Sequence, residues 1–340
     1  MSALPGLDLE ALRGHLAARG VEPAGPLRGE LVSGGRSNLT FAVSDGVSRW
    51  AVRRPPLAGL TESAHDMARE YRVTSALVGT RVPVARPISL CADESVLGAP
   101  FTVVEWVDGV VVRDRVDLEQ LSDEQVRRTT AALVEVLVDL HAVDVTEVRL
   151  EGFGRPDGFL ARQVALWRRQ WDRTRTRDLA DLERLHSLLA DDVPQSSEAT
   201  VVHGDYRIDN AILDRTDPAT VRAVVDWELS TLGDPLTDVA LMCVYRHPAL
   251  DVILGLPAAW SSPRLASPEE LAEEYARRSG RDLAGWPFYL GLAHLKLAVI
   301  AEGISHRARA GAGASPDAEG AAAAVPELVA AGLAALRGRH

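Results

Sequence analysis

The hydrophobic pattern of this 340-residue chain shifts near Gly109 from mostly strand-like to mostly helical. Before it, GELVSGGRSNLTFAVSDGVSRWAVRRPP alternates apolar and polar residues, with Asp45-Gly46 between two alternating runs. Alternation marks half-buried strands, and an Asp-Gly pair between them marks a tight hairpin. VARPISLCAD and GAPFTVVEWVDG predict two more strands. TESAHDMAREYRVTSALVG, between the strands, has helical spacing and is expected to open at Thr61 or Ser63. An N-terminal helix over GLDLEALRGHLAARG should stop at Gly20.

After Gly109 the apolar residues recur at helical spacing, in SDEQVRRTTAALVEVLVDLHAVD and in LARQVALWRRQWDRTRTRDLADLERLHSLLADD. Short strand-like runs, TVVHG, AILD and TVRAVVDWE, interrupt the helices, which resume from about Pro235. Residues 264–267 and the Gly/Ala tract 308–324 read as loops. The expected class is α+β. It has a small antiparallel β lobe with one inserted helix at 1–106 and a larger, mostly helical lobe at 107–340. A cleft between two lobes suits a ligand.

Composition narrows the functions. The net charge of −11 argues against a nucleic-acid partner, because phosphates repel an acidic surface. Cys91 and Cys243 are too few for a disulfide framework or a zinc site. The N-terminus shows no basic and apolar segments of a signal peptide. LGLAHLKLAVIAEGI is interrupted by His294, Lys296 and Glu302, so it is expected to be too polar and too short to span a bilayer. A cytoplasmic location is the expectation, with the oligomeric state open. Of the 37 basic residues only Lys296 is lysine.

VVHGDYRIDNAILD packs His203, Asp205 and Asn210 between apolar flanks. Turn chemistry alone could place Asp and Asn there. The spacing His-x-Asp-x-x-x-x-Asn is also that of a kinase catalytic loop. Phosphoryl transfer needs a carboxylate at the acceptor hydroxyl, oxygen ligands for Mg²⁺ and a cation on the phosphates. Asp205 is the candidate base and Asn210 a candidate metal ligand. A hairpin turning at Asp217-Pro218 would bring Asp226 back beside Asn210 as the principal Mg²⁺ ligand, with Glu228 assisting. His203 more simply packs and hydrogen-bonds. Asp234, as N-cap with Pro235 at N1, and Asp238 read as helix N-terminal residues supporting the loop.

VVHGDYRIDNAILD followed by AVVDWELSTLGDPLTDVALM resembles the aminoglycoside phosphotransferase (choline-kinase-like) family. It is most similar to the branch related to kinase-like domains that accompany some acyl-CoA dehydrogenases. The resemblance extends through LVSGGRSNLTFAV, WAVRRPP, SAHDMAREYRV and GAPFTVVEWVDG and so covers most of the chain. It implies a bilobal protein-kinase-like fold and transfer of the γ-phosphate of ATP, usually to a small-molecule hydroxyl. The acceptor would be an aminoglycoside, a choline-like compound or, in this branch, a hydroxyacyl thioester. Asp205 is then the base, and Asn210 and Asp226 hold magnesium.

The candidate nucleotide residues are Gly34, Gly35, Arg36, Ser37 and Asn38 in the glycine loop, Arg53 and Glu70, and Glu105 and Val107 on the connection. One departure is plain. Kinases of this type carry a lysine on the third strand, and here Arg53 takes the slot with Glu70 as its partner. Arginine keeps the charge and can grip phosphate with two donors. Arg54 is the alternative, but strand alternation points it to the opposite face. Two other classes stay open: a pseudokinase or nucleotide-sensing module of the same fold, and a metal-dependent hydrolase using His203, Asp205, Asp226 and Asp234. Acceptor contacts are expected near Asp234, His294 and Glu302.

Overall fold

The computed structural model describes residues 4–33, 38–57, 66–195, 198–311 and 316–338. The chain forms two compact units. The first comprises Met1–Asp108 and Ala223–Leu229, the second Gly109–Arg222 and Ser230–His340.

The first unit opens with α1 (Leu9–Ala18). The Asp8 carboxylate accepts from the Glu10 and Ala11 amides at 3.0 Å, answering two of the donors a helix start leaves open. Gly20, at φ +77°, ends it as the sequence predicts. Strands β1 (Arg28–Ser33), β2 (Leu39–Ser44) and β3 (Arg49–Arg54) follow, then α2 (Met67–Leu77), β4 (Pro87–Cys91), α3 (Glu94–Leu97) and β5 (Phe101–Glu105). The sheet is antiparallel, in the order β1-β2-β3-β5-β4. At the β2–β3 turn the Asp45 carboxylate accepts from the Val47 and Ser48 amides at 2.8 and 2.6 Å. Gly46 takes φ +93°, which lets the hairpin close without a Cβ penalty. One sheet face buries Phe41, Val43, Trp50, Val52, Phe101 and Val103 against Leu12 and Leu16 of α1.

α2 begins later than the sequence suggests. Its N-cap is Asp66, which accepts from the Arg69 amide at 2.9 Å; Thr61 and Ser63 lie outside the described residues. Between β4 and β5 the chain forms α3, capped by Asp93 and stopped by Gly98 at φ +80°.

The second unit carries α4 (Arg115–Glu119), α5 (Asp123–His141), α6 (Phe159–Thr174) and α7 (Ala180–Asp191). Ser122 and Gln125 form a capping box at the start of α5. The helical run from Leu160 to Asp192 is broken between α6 and α7. The buried Glu302 carboxylate accepts from the Thr176 amide at 2.9 Å and also meets Arg177. That partner stands 126 positions away, beyond the reach of local periodicity.

Next come β6 (Thr200–Val202), β7 (Ala211–Leu213), β8 (Val221–Val224) and β9 (Thr231–Gly233). β6 pairs antiparallel with β9, a strand the sequence reading lacks. β7 and β8 form the expected hairpin, closed by the Asp214 amide on the Thr220 carbonyl at 2.9 Å.

The remainder is helical: α8 (Leu236–Val244), α9 (Ala249–Leu254), α10 (Pro268–Ser279), α11 (Trp286–Arg309) and α12 (Val325–Arg337). Pro235 is the N-cap of α8 rather than its first residue, with the Asp234 carboxylate accepting from the Leu236 amide at 3.0 Å. Residues 316–324 of the Gly/Ala tract are a 3₁₀ helix rather than loop. Two stretches, Trp286–Arg309 and Gly320–Arg337, are long and apolar enough to cross a membrane, so the expectation of a too short, too polar segment fails on composition. The first is 78% buried within the protein, as a core helix is.

Candidate active site

In the second unit β6 delivers the chain into the loop 203–210. Gly204 takes φ +84°, a conformation that disfavours any residue with a Cβ. The fully buried Asp238 of α8 accepts from the His203 amide at 2.6 Å and from the Gly204 amide at 2.8 Å. His141 Nε2 lies 3.4 Å from the same carboxylate, and Tyr275 contacts the other ring nitrogen at 2.8 Å. Burial pushes the Asp238 pKa up, but the His141 and His203 contacts outweigh it and leave it below the ordinary value. Asp238 therefore supports the loop. Asp234 does so at one remove, accepting also from the Tyr289 hydroxyl at 2.8 Å.

The loop presents Asp205. Its Oδ1 accepts from the Tyr245 hydroxyl at 2.6 Å and lies 3.4 Å from Arg207 Nε. Its Oδ2 accepts from the Asn210 amide nitrogen at 3.1 Å, and its backbone carbonyl accepts from the same nitrogen at 2.8 Å. Arg207 also meets Asp209 at 2.7 Å. Burial would raise the Asp205 pKa. Arg207 and the Tyr245 hydroxyl, with the charge of Lys296, overcome that and hold it at about 2. The carboxylate stays ionised and fixed, able to accept a hydrogen bond from an incoming hydroxyl. Asn210 commits its NH₂ to Asp205, which orients its amide oxygen as the atom fit for a hard cation.

In the first unit Arg53, on β3, reaches two carboxylates. Its Nη1 lies 3.2 Å from Glu70 on α2, and its Nη2 donates to Asp226 Oδ1 at 3.0 Å. Burial pushes the Glu70 pKa up while Arg53 pulls it down, and burial prevails. Asp226 adopts φ +68°, one of two non-glycine residues with positive φ among the described residues. Such strain marks positions that the surroundings over-determine, often functional ones. Arg54 faces away, as alternation predicts, and donates to the Gly6 carbonyl at 2.9 Å and the Leu97 carbonyl at 2.5 Å.

Asn38 is buried and donates to Glu228 at 3.4 Å, so Glu228 engages the end of the glycine loop. Gly34, Gly35, Arg36 and Ser37 lie outside the described residues. The Glu105 side chain pairs with Arg86 at the surface, and its amide donates to the Arg86 carbonyl at 2.9 Å.

The structure thus joins Arg53 to Glu70 and Asp226 in one unit, and Asp205 to Asn210 in the other. Tyr245 and Arg207 were missed. Arg207 could have been found two places after Asp205. Tyr245, 40 positions away, gives no local signal. The acceptor contacts expected near Asp234, His294 and Glu302 are otherwise engaged. His294 sits against the Leu290 carbonyl, its pKa pushed down to about 4 chiefly by burial, and Glu302 holds the α6–α7 break. Among the described residues no group of three or more His, Cys, Asp or Glu could hold a metal. Amide and carboxylate oxygens are donors of the kind Mg²⁺ takes, one or two from protein with phosphates and water completing its shell.

Tyr245→Phe removes the hydroxyl at Asp205 Oδ1. It should raise the Asp205 pKa above its value of about 2. The ionised form stabilises the fold above the unfolded pKa near 4, and that contribution is lost as pH falls through the folded value. In the variant the loss should begin at higher pH and cost about 1.5–3 kcal/mol at neutrality. A carboxyl-carbon NMR titration and acid unfolding curves check this.

The fold is the kinase-like one of the aminoglycoside phosphotransferases. The chain matches the structure of a Ralstonia eutropha protein assigned to the aminoglycoside phosphotransferases with a TM-score of 0.83, at 32% identity over 97% of this chain and 98% of that one. A thermostable mutant of aminoglycoside phosphotransferase APH(4)-Ia, in ternary complex with AMP-PNP and hygromycin B, shares the fold at a TM-score of 0.63 and 18% identity, over 95% of this chain and 98% of that one.

The chain belongs to the phosphotransferase enzyme family, whose sequence profile matches residues 28–292. Human acyl-CoA dehydrogenase family member 11 is 34% identical over 315 residues, 91% of this chain. Mouse acyl-CoA dehydrogenase family member 10 is 33% identical over 304 residues, 88% of this chain. The chain spans 40% of the human protein's length and 28% of the mouse protein's.

Proposed function

We propose that the protein is an ATP-dependent phosphotransferase that moves the γ-phosphoryl group to a hydroxyl of a small molecule. The observation that carries this reading is the Asp205 carboxylate, held ionised and oriented by Tyr245, Arg207 and Asn210 on a loop fixed by Asp238. Asp205 accepts the hydrogen bond of the acceptor hydroxyl and aligns its oxygen for attack. Its low pKa suits a proton that moves late, once the phosphoryl group has left its donor.

Asn210 and Asp226 would hold Mg²⁺, which screens the charge on the phosphates. The glycine loop 34–38 covers the nucleotide with main-chain amides, and Arg53 grips a phosphate while Glu70 keeps it aimed. The cytoplasm, where ATP is abundant, is the compartment this activity needs. Loss of the Arg53 fork should raise the KM for ATP about 10–100-fold in Arg53→Ala, with a smaller change in kcat at saturation. Initial rates over a range of ATP concentrations separate the two.

The test is a screen of aminoglycosides, choline-like alcohols and hydroxyacyl thioesters with MgATP, reading ADP release above background hydrolysis. Release that depends on one acceptor class supports the reading; release with none opposes it. The arginine in the lysine slot favours one second reading, a nucleotide-sensing module. Thermal stabilisation by MgATP without turnover on any acceptor would support that one. Two contacts count against the hydrolase reading: His203 Nδ1 accepts from the Asp205 amide at 3.2 Å, and Asp234 serves α8 and Tyr289.

A further inference from the structure

The chain has 37 basic side chains and a single lysine among them. That lysine, Lys296, sits on α11 with its ammonium under the catalytic loop. Its Nζ donates to the Gly204 carbonyl at 2.8 Å. Trp167 of α6 turns its ring toward the same ammonium, 5.7 Å from Nζ to the ring centroid. The charges of Asp205 and Asp238 act on it from the loop and from α8.

The Gly204 residue is consequently gripped at both ends. Its amide N–H is held by the Asp238 anion at 2.8 Å and its carbonyl by the Lys296 cation at 2.8 Å. Gly204 is also a left-handed residue, at φ +84°, directly before Asp205. A peptide in that conformation, between the buried Asp238 anion and the partly buried Lys296 cation, has little freedom to rotate. Rotation would leave a partly buried carbonyl and a partly buried ammonium without their partner. An ammonium suits the place because it is compact and carries three donors on a flexible stem.

We propose that Lys296 is a positioning residue for phosphoryl transfer, which fixes the Gly204 carbonyl and so holds Asp205 at the angle the acceptor hydroxyl requires. The inference rests on the phosphotransferase reading of the same loop. A misplacement of about 1 Å at a reacting group can cost 10²-fold in rate.

The test compares Lys296→Met, Lys296→Gln and Lys296→Arg in the full chain. MgATP is the probe, with ADP release read in the presence of the best acceptor of the screen, or with water as acceptor if none exceeds background. Lys296→Met should lower kcat about 10–100-fold, with the KM for ATP within about threefold of the starting protein. Lys296→Arg, which keeps a cation and a donor, should recover most of the rate. Amide exchange should quicken in a peptide covering 201–213 of Lys296→Met, return toward normal in Lys296→Arg, and stay unchanged in peptides from α5 and α10. If Lys296→Met does not fold, Lys296→Gln is judged by the same criteria. A folded Lys296→Met or Lys296→Gln with unchanged kcat and exchange overturns the proposal, as does Lys296→Arg that is no better than methionine. Asp205→Asn in parallel separates the two levels. If Asp205→Asn stays fully active, the phosphotransferase reading of the loop fails; if only Asp205→Asn is inactive, the role of Lys296 alone fails.

Discussion

Asp205→Asn is expected to lower kcat by about 10²–10⁴-fold while MgATP still binds. The substitution is nearly isosteric, so Tyr245 and Asn210 can keep contacts to the side chain at position 205. What disappears is the negative charge that, in the proposed function, would accept the hydroxyl's hydrogen bond and finally its proton. The effect should fall on kcat, because the proposed function gives Asp205 to the acceptor hydroxyl and the metal and phosphates to other residues. Steady-state kinetics at saturating MgATP, with calorimetry on the same sample, separate rate from binding. A variant with full activity on the true acceptor would remove Asp205 from the reaction.

Asp226→Ala is expected to abolish Mg²⁺-dependent nucleotide binding. Two losses coincide in it. The metal loses its carboxylate, and Arg53 loses the partner 3.0 Å away. Removing one member of a close charge pair commonly costs roughly 2–5 kcal/mol, tens to thousands in affinity. Alanine also tolerates φ +68° poorly, so part of the damage could be to the fold. Asp226→Asn removes that ambiguity, because asparagine accepts left-handed backbone while carrying no charge. It should bind MgATP as poorly as the alanine variant and unfold at close to the original temperature. Unchanged MgATP affinity by calorimetry in both variants would reject the assignment.

Some of this was legible in the sequence for physical reasons. Strand alternation and helical spacing are local, so the α+β class and the Asp45-Gly46 hairpin could be read directly. The same alternation sorted Arg53 from Arg54, and the structure puts the first on Glu70 and the second on main-chain carbonyls. Asp205 and Asn210 sit five residues apart in one loop, and their mutual hydrogen bond is a short-range event.

What stayed hidden is tertiary. Tyr245 reaches Asp205 from α8, and Lys296 reaches Gly204 from 92 positions away. Glu302 breaks a helix that its own sequence would continue. α11 shows the opposite failure. Its buried His294 and Glu302 and partly buried Lys296 looked like interruptions of an apolar run, yet each is satisfied inside the second unit. Composition could not tell a core helix from a spanning one, whereas burial favours the core.

The central claim concerns where three oxygen-bearing side chains stand when nucleotide is bound. A structure with Mg²⁺ and a non-hydrolysable ATP analogue measures this directly. The account predicts one metal ion bonded to oxygens of both Asn210 and Asp226, Arg53 on a phosphate, and Asp205 facing the terminal phosphorus. A bound nucleotide whose metal touches neither Asn210 nor Asp226, or whose terminal phosphate points away from Asp205, would contradict it.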